Sequence, residues 1–143
     1  MTKNILIVKG GKYAEAEVSR KTAINVETAL KARGYNTTSI EPQDNLISYL
    51  NDKGIKNIYV TGDVVKGKII NRLFSKNELI EESESDFYEN KVHGTGCAIS
   101  MAILCYLSSG DSLEVACKKS HSLMNNLVKN SYTNKSQNIL NFS

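Results

Sequence analysis

The sequence predicts an α/β fold: a three-layer, doubly wound and mostly parallel sheet that also carries a β-hairpin. Three observations predict it. Over about the first 60 residues, short aliphatic or β-branched runs alternate with helical patterns in the order strand, helix, strand, helix, strand, the rhythm of right-handed parallel crossovers. Two short extended runs joined by Ser75-Lys76-Asn77 then read as a hairpin. Finally, Val92-His93-Gly94-Thr95-Gly96-Cys97 turns on glycines into a run of small and apolar residues, which marks a helix set in a core.

The elements follow in order. Residues 4 to 8, Asn-Ile-Leu-Ile-Val, are an aliphatic run stopped by Gly10-Gly11, as expected of a buried first strand feeding a turn. Between about residues 16 and 33, Val18, Ala23, Val26, Ala29 and Leu30 recur at helical spacing, and Gly34 stands where a helix end needs positive φ. Residues 36 to 40 form a second, more polar strand closed by Glu41-Pro42. Asp44 is placed to cap a second helix whose apolar residues are Leu46, Ile47 and Leu50, and Gly54 ends it. Residues 55 to 60 supply the third parallel strand, with Gly62 and Asp63 in the loop after it.

Residues 68 to 74 and 78 to 83 are the arms of the hairpin, and the acidic run from Glu81 to Asp86 reads as solvated edge that serves solubility. From Gly96 to Leu107 no face suits water, so this helix is expected to be covered on both sides. Asp111-Ser112-Leu113-Glu114 has a capping-box pattern, and Leu113, Cys117, Met124, Leu127 and Val128 stripe a last helix to about residue 130. The polar tail from Ser131 is expected to fray until Ile139-Leu140, which docks weakly. With no repeat, low-complexity linker or second core, a single α/β domain over residues 1–130 followed by a tail is the economical organisation.

Composition narrows the function classes. The chain has 143 residues, 41% hydrophobic and 23% charged, enough for one domain with a real core. Its net charge of +3 is spread along the chain, which gives nucleic acid no basic block to bind. The first apolar run is strand-length and followed at once by Lys9 and Gly10, unlike a signal peptide, and the apolar helix near residue 100 is too short to span a bilayer. Three cysteines, Cys97, Cys105 and Cys117, are an odd set without paired metal-ligand spacing, which points to reduced thiols in the cytoplasm and to no metal site.

The stretch that carries chemistry is the glycine turn. Two glycines flanking a threonine ahead of a helix leave backbone N–H groups pointing out of the turn, and the first helical amides have no intrahelical partner. Together with the helix dipole they favour an anion at Gly94, Thr95, Gly96 and Cys97. An ordinary loop-to-helix junction explains the glycines equally well at this point, just as a small buried helix residue explains Cys97, a brace for the turn explains His93 and a turn residue explains Asp63.

The string Lys56-Asn57-Ile58-Tyr59-Val60-Thr61-Gly62-Asp63, then a hairpin, then His93-Gly94-Thr95-Gly96-Cys97-Ala98-Ile99-Ser100-Met101-Ala102-Ile103, resembles the C-terminal part of the hydroxymethylpyrimidine phosphate kinases of thiamine biosynthesis. These are a branch of the ribokinase-like superfamily. The resemblance covers about residues 55 to 130, through Gly110-Asp111-Ser112-Leu113-Glu114-Val115-Ala116. It implies half of a ribokinase-like fold and phosphoryl transfer from ATP with Mg²⁺. The amides of Gly94, Thr95, Gly96 and Cys97 would form the anion hole, and Gly62 and Asp63 would lie where ATP is received. It also places Cys97 where the substrate hydroxyl is activated, a position that ribokinase relatives fill with aspartate, so that the thiol would act as base or polar contact. Residues of the family that hold the pyrimidine precede the matched part, which implies a homodimer or a partner chain supplying the remainder, or a non-catalytic module that keeps the phosphate cradle.

The start of the chain has a second likeness. Val8-Lys9-Gly10-Gly11-Lys12-Tyr13-Ala14-Glu15-Ala16-Glu17-Val18-Ser19 resembles the N-terminal domain of D-alanine–D-alanine ligases, which would make Glu15 a contact for a substrate ammonium, although the ligases' ATP-grasp domains have no counterpart here. The same segment also aligns loosely with an Asn-x-x-Glu-Ala-Glu segment midway along the kinases.

Overall fold

An aliphatic strand and a mixed polar one pair side by side at the start of the chain: β1 (Asn4–Val8) runs parallel to β2 (Asn36–Ile40), with Asn4 opposite Asn36 and Val8 opposite Ile40. The computed structural model describes residues 4–11, 16–88, 92–134 and 137–142. The chain divides into two compact units, Met1–Leu46 and Ile47–Ser143. The expected N-terminal elements are present within the first, where α1 (Ala16–Ala32) connects the two parallel strands. Glu27 on α1 accepts hydrogen bonds from Thr37 and Ser39 of β2, and Glu41 forms a two-pronged ion pair with Arg20 at 2.7 and 2.9 Å. Gly10 has φ +79, and a Cβ there would run into the Glu41 carboxylate, so both backbone and space require glycine. The first strand is half-buried rather than fully covered, and Val18 and Val26 of the expected apolar stripe are exposed on α1.

In the second unit, α2 is short (Leu46–Asp52, its first residue in the first unit), and Leu50 is buried. The third strand departs most from expectation. β3 (Asn57–Val65) continues through Gly62 and Asp63, because a register shift between Val60 and Asp63 absorbs Gly62 at φ +78. Gly62 and Asp63 therefore lie within a strand and not in a loop after one. β3 pairs antiparallel with β4 (Lys68–Ser75), which pairs antiparallel with β5 (Glu78–Asp86), so the predicted hairpin is present and β3 opens a three-stranded meander.

Two other strands turn the tail into structure. β7 (Tyr132–Asn134) and β8 (Gln137–Ile139) pair antiparallel, and β8 lies parallel to β6 (Val92–His93). Leu140, expected to dock, is buried in a cluster with Ile99, Met124 and Leu127, and the pairing of β7 with β8 gives strands where fraying is expected.

The two long helices of this unit are α3 (Thr95–Ser108) and α4 (Leu113–Lys129), packed on each other. α3 differs from the helix covered on both sides that its composition predicts: Ile99 and Ala102 are buried, while Met101 and Leu104 are 58% and 57% exposed. Its apolar residues occur all the way round, and α4 covers only one side. The α4 N-cap is Ser112, whose hydroxyl accepts from the Val115 amide, whereas Asp111 pairs with Lys119 at 2.8 Å. In the acidic run, Glu81 is 9% exposed and bridges β5 to α4 through Lys118 at 2.8 Å, which removes it from the solubility role. Among the described residues no helix is long and apolar enough to cross a membrane.

The turn between β4 and β5 places two non-glycine residues in the left-handed region, Lys76 at φ 50 and Asn77 at φ 71. Tight hairpin turns of this hand favour Asn-Gly. Replacing Lys76→Asn together with Asn77→Gly should stabilise the chain by about 0.5–1 kcal/mol, read as a higher urea midpoint.

Burial also sets a pH dependence. The Cys117 thiol is raised from its ordinary 9.0 to about 11 by burial and, secondarily, by Glu81. The Tyr59 hydroxyl, which donates to the Cys117 carbonyl, is raised from 10.0 to about 12, mainly by burial. In the unfolded chain both groups lose their protons first, so the stability they contribute is present below pH 9.0 and falls between pH 9.0 and about 11 for Cys117 and between 10.0 and about 12 for Tyr59. Urea midpoints should drop across these windows, and Cys117→Ala combined with Tyr59→Phe should flatten the drop.

Candidate functional site

The glycine turn is built by β6, which ends at His93, and by Gly94, which adopts φ 87 and ψ 2 as the N-cap of α3. Such a backbone is strained for any residue with a Cβ. Gly94 has no side chain, and no side-chain cap is present. The Ala98 amide reaches back to the Gly94 carbonyl at 2.9 Å, so the amides of Thr95, Gly96 and Cys97 precede the first helical hydrogen bond. Open space surrounds Gly96, where a Cβ would meet nothing within 4 Å. The helix start thus offers partial positive charge and free donors to an anion, as the sequence suggests.

The two sides of this helix start face different spaces. Thr95 and Gly96 border a cavity of about 160 Å³ that also touches Gly62, so two of the regions singled out by sequence meet there. Gly94 and Cys97 border a wider, mostly apolar groove with His93, Met101 and Tyr106. Cys97 and His93 are exposed, so the thiol is not the buried helix residue of the alternative reading.

Asp63 is held elsewhere. Its carboxylate accepts from Arg72 Nη1 at 2.6 Å, while Arg72 Nε grips Glu82 at 2.7 Å. Asp63 does not border the cavity. Asp86 does, and Lys68, hydrogen-bonded to it at 2.7 Å, holds its carboxyl below the ordinary range. Glu15, the residue implied by the ligase likeness, lies outside the described residues.

Sequence reasoning missed two residues at the back of the cavity. Asn71 on β4 is 4% exposed and His121 on α4 is 7% exposed. The Gly62 amide donates to Asn71 Oδ1 at 2.8 Å, and Asn71 Nδ2 lies 2.8 Å from His121 Nδ1. His121 Nε2 has no hydrogen-bond partner among the described residues. A signal existed: Asn71 interrupts the apolar Ile69-Ile70 and Leu73-Phe74 pairs, and His121 falls at helical spacing between Cys117 and Met124 on the apolar stripe.

The fold and the helix-start cradle define a class, and comparison with solved structures agrees. The pyridoxal kinase of Bacillus subtilis, in an ADP complex, matches with a TM-score of 0.59 at 20% identity, over 73% of this chain and 41% of that one. The Staphylococcus aureus pyridoxal kinase, complexed with AMP-PCP and pyridoxal, matches at 0.59 and 19% identity, over 66% and 36% of the two chains. The Entamoeba histolytica pyridoxal kinase matches at 0.55 and 14% identity, over 93% and 65%. The chain therefore has a fold of the ribokinase-like class and spans about two fifths of the length of the first of these relatives.

The family is narrower still: the phosphomethylpyrimidine kinase profile matches residues 22–140, and the chain belongs to that family. The match takes in most of α1 and all of β2, so it reaches well before residue 55, where the resemblance read from the sequence begins. No curated protein sequence matches the chain.

The two glycines of the turn should respond differently to a methyl group. Gly94→Ala should lower stability by about 1–2 kcal/mol through left-handed strain, while Gly96→Ala, in open space, should not lower it; urea melts of both variants check this.

Proposed function

We propose that the chain is a phosphotransferase unit that moves a phosphoryl group from ATP to hydroxymethylpyrimidine phosphate in the thiamine pathway of the cytoplasm. The observation that carries this reading is the uncapped start of α3, whose Thr95 and Gly96 open on the cavity that Gly62 also lines. Family membership supports the reaction class, and the relatives solved with ADP and AMP-PCP support a nucleotide as donor.

In this reading the amides of Thr95, Gly96 and Cys97 hold the charge that spreads over the transferring group, with Gly94 setting their direction. The nucleotide approaches from the cavity side. The acceptor approaches from the groove side, where Cys97 serves as base or polar contact for its hydroxyl. Donor and acceptor then meet at one helix start, where an in-line transfer aligns the attacking and leaving oxygens.

The fit of the implied groups differs. Free amides at an uncapped helix end suit phosphate oxygens well. Among the described residues no three His, Cys, Asp or Glu side chains gather to hold a metal, and Asp63 is engaged by Arg72. Mg²⁺ would therefore arrive on the phosphates and keep most of its waters, neutralising charge there.

A second reading has its own support. The chain spans about two fifths of the B. subtilis kinase, and α3 exposes Met101 and Leu104. A module that binds nucleotide without turning it over, completed by a second copy or a partner chain, fits both facts.

Titration calorimetry with ATP-Mg²⁺ and a phosphorylation assay on hydroxymethylpyrimidine phosphate separate the readings. Under the first, the purified chain binds and turns over, Gly96→Asp weakens ATP binding at least ~10-fold by setting a carboxylate beside the amides, and Cys97→Ala lowers turnover by roughly 10²-fold while sparing ATP affinity. Binding without turnover leaves the second reading, and neither binding nor turnover removes both.

A further inference from the structure

The hydrogen-bond pattern behind the cavity fixes which atoms carry protons. A backbone N–H can only donate, so the Gly62 amide makes the Asn71 atom facing it an acceptor, Oδ1. The other end of the side-chain amide, Nδ2, can only donate, and it faces His121 Nδ1 at 2.8 Å. His121 Nδ1 must therefore be bare, and the ring proton sits on Nε2. Reversing this order would turn the Asn71 amide toward Gly62 and set two donors against each other.

The result is a buried N–H donor without a partner among the described residues, on a side chain that borders the cavity. Such an orphan is costly in a low-dielectric setting and is relieved when an acceptor arrives. The cavity surface is mostly apolar, with Ile69, Ile99, Met124 and Val128 beside the polar Ser85, Asp86 and Asn125, and its volume of about 160 Å³ suits a flat ring. The uncapped start of α3 lies at the same cavity through Thr95 and Gly96.

We propose that Asn71 is a positioning residue that locks His121 as an Nε2–H donor, and that His121 thereby selects a heteroaromatic base presenting a ring-nitrogen acceptor in this cavity. The proposal rests on the nucleotide-binding reading above and adds the residue that discriminates the base. Gly62 takes on a second part, since its amide orients the relay that begins at Asn71.

The ring proton is testable on the free, full chain. Two-bond ¹H–¹⁵N spectra of the imidazoles should show His121 as the Nε2–H tautomer, with His93→Gln assigning the signals of the two histidines. Asn71→Asp supplies an acceptor to both neighbours and should move the proton to Nδ1. A wild-type spectrum showing Nδ1–H overturns the proposal without reference to any variant's folding.

Calorimetry tests the ligand half, with ATP-Mg²⁺ against tripolyphosphate-Mg²⁺. The wild type should prefer ATP, and His121→Phe should cut ATP affinity about tenfold while leaving tripolyphosphate affinity unchanged. Asn71→Asp should reduce ATP affinity in the same sense. ATP bound no better than tripolyphosphate, or bound equally by wild type and His121→Phe, overturns the proposal and leaves the phosphate cradle standing. Failure of the wild type to bind either ligand overturns both.

Discussion

The second unit depends on the burial of one face of α4. Ala116, Cys117, Ser120, His121, Met124 and Leu127 turn inward along it. Three neighbours use that face: α3 through Ile99, the tail through Leu140, and the meander through Asn71, with Glu81 pairing to the exposed Lys118 beside it. Most of these contacts are apolar, and their worth scales with the area removed from water. The polar ones, Asn71 to His121 and Lys118 to Glu81, add little net energy but set register, because a buried group that loses its partner costs about 1–3 kcal/mol. A slip of β4 by one residue would send Asn71 to the other side of the sheet and leave His121 facing aliphatic carbon.

This arrangement explains how the helix start becomes usable. α3 is anchored at Ile99, one turn from Gly94, so the free amides stand on a fixed base rather than on a loose loop. A rigid donor array needs no reorganisation when charge develops against it. The exposed Met101 and Leu104 lie further along the same helix, away from the anchored face, and Met101 also lines the groove beside Cys97.

Much of this was readable in the residues. β1, α1, β2, the hairpin, the glycine turn and α4 follow from local patterns: aliphatic runs, helical spacing and glycines where φ must be positive. What was not readable depended on contacts distant in sequence. The bulge at Gly62 carries β3 past its apparent end because β4 is there to pair with it. The tail becomes strands because β6 offers an edge to β8. The cap of α4 shifts from Asp111 to Ser112 because Lys119, two turns along, takes the aspartate. The cradle itself was legible from Gly94-Thr95-Gly96-Cys97, whereas Asn71 and His121 join it only through tertiary structure.

The closeness of Gly10 to Glu41 has a consequence for how the first unit can change. The Glu41 carboxylate lies where any side chain at position 10 would begin, and it is held there by Arg20, 2.7 Å away. Positions 10, 20 and 41 are therefore not free to vary one at a time. Loss of Arg20 would release the carboxylate and relax the spatial demand for glycine, while the positive φ would keep its own. Substitutions at these three places should combine non-additively, so that descendants of this sequence are expected to change them together or not at all.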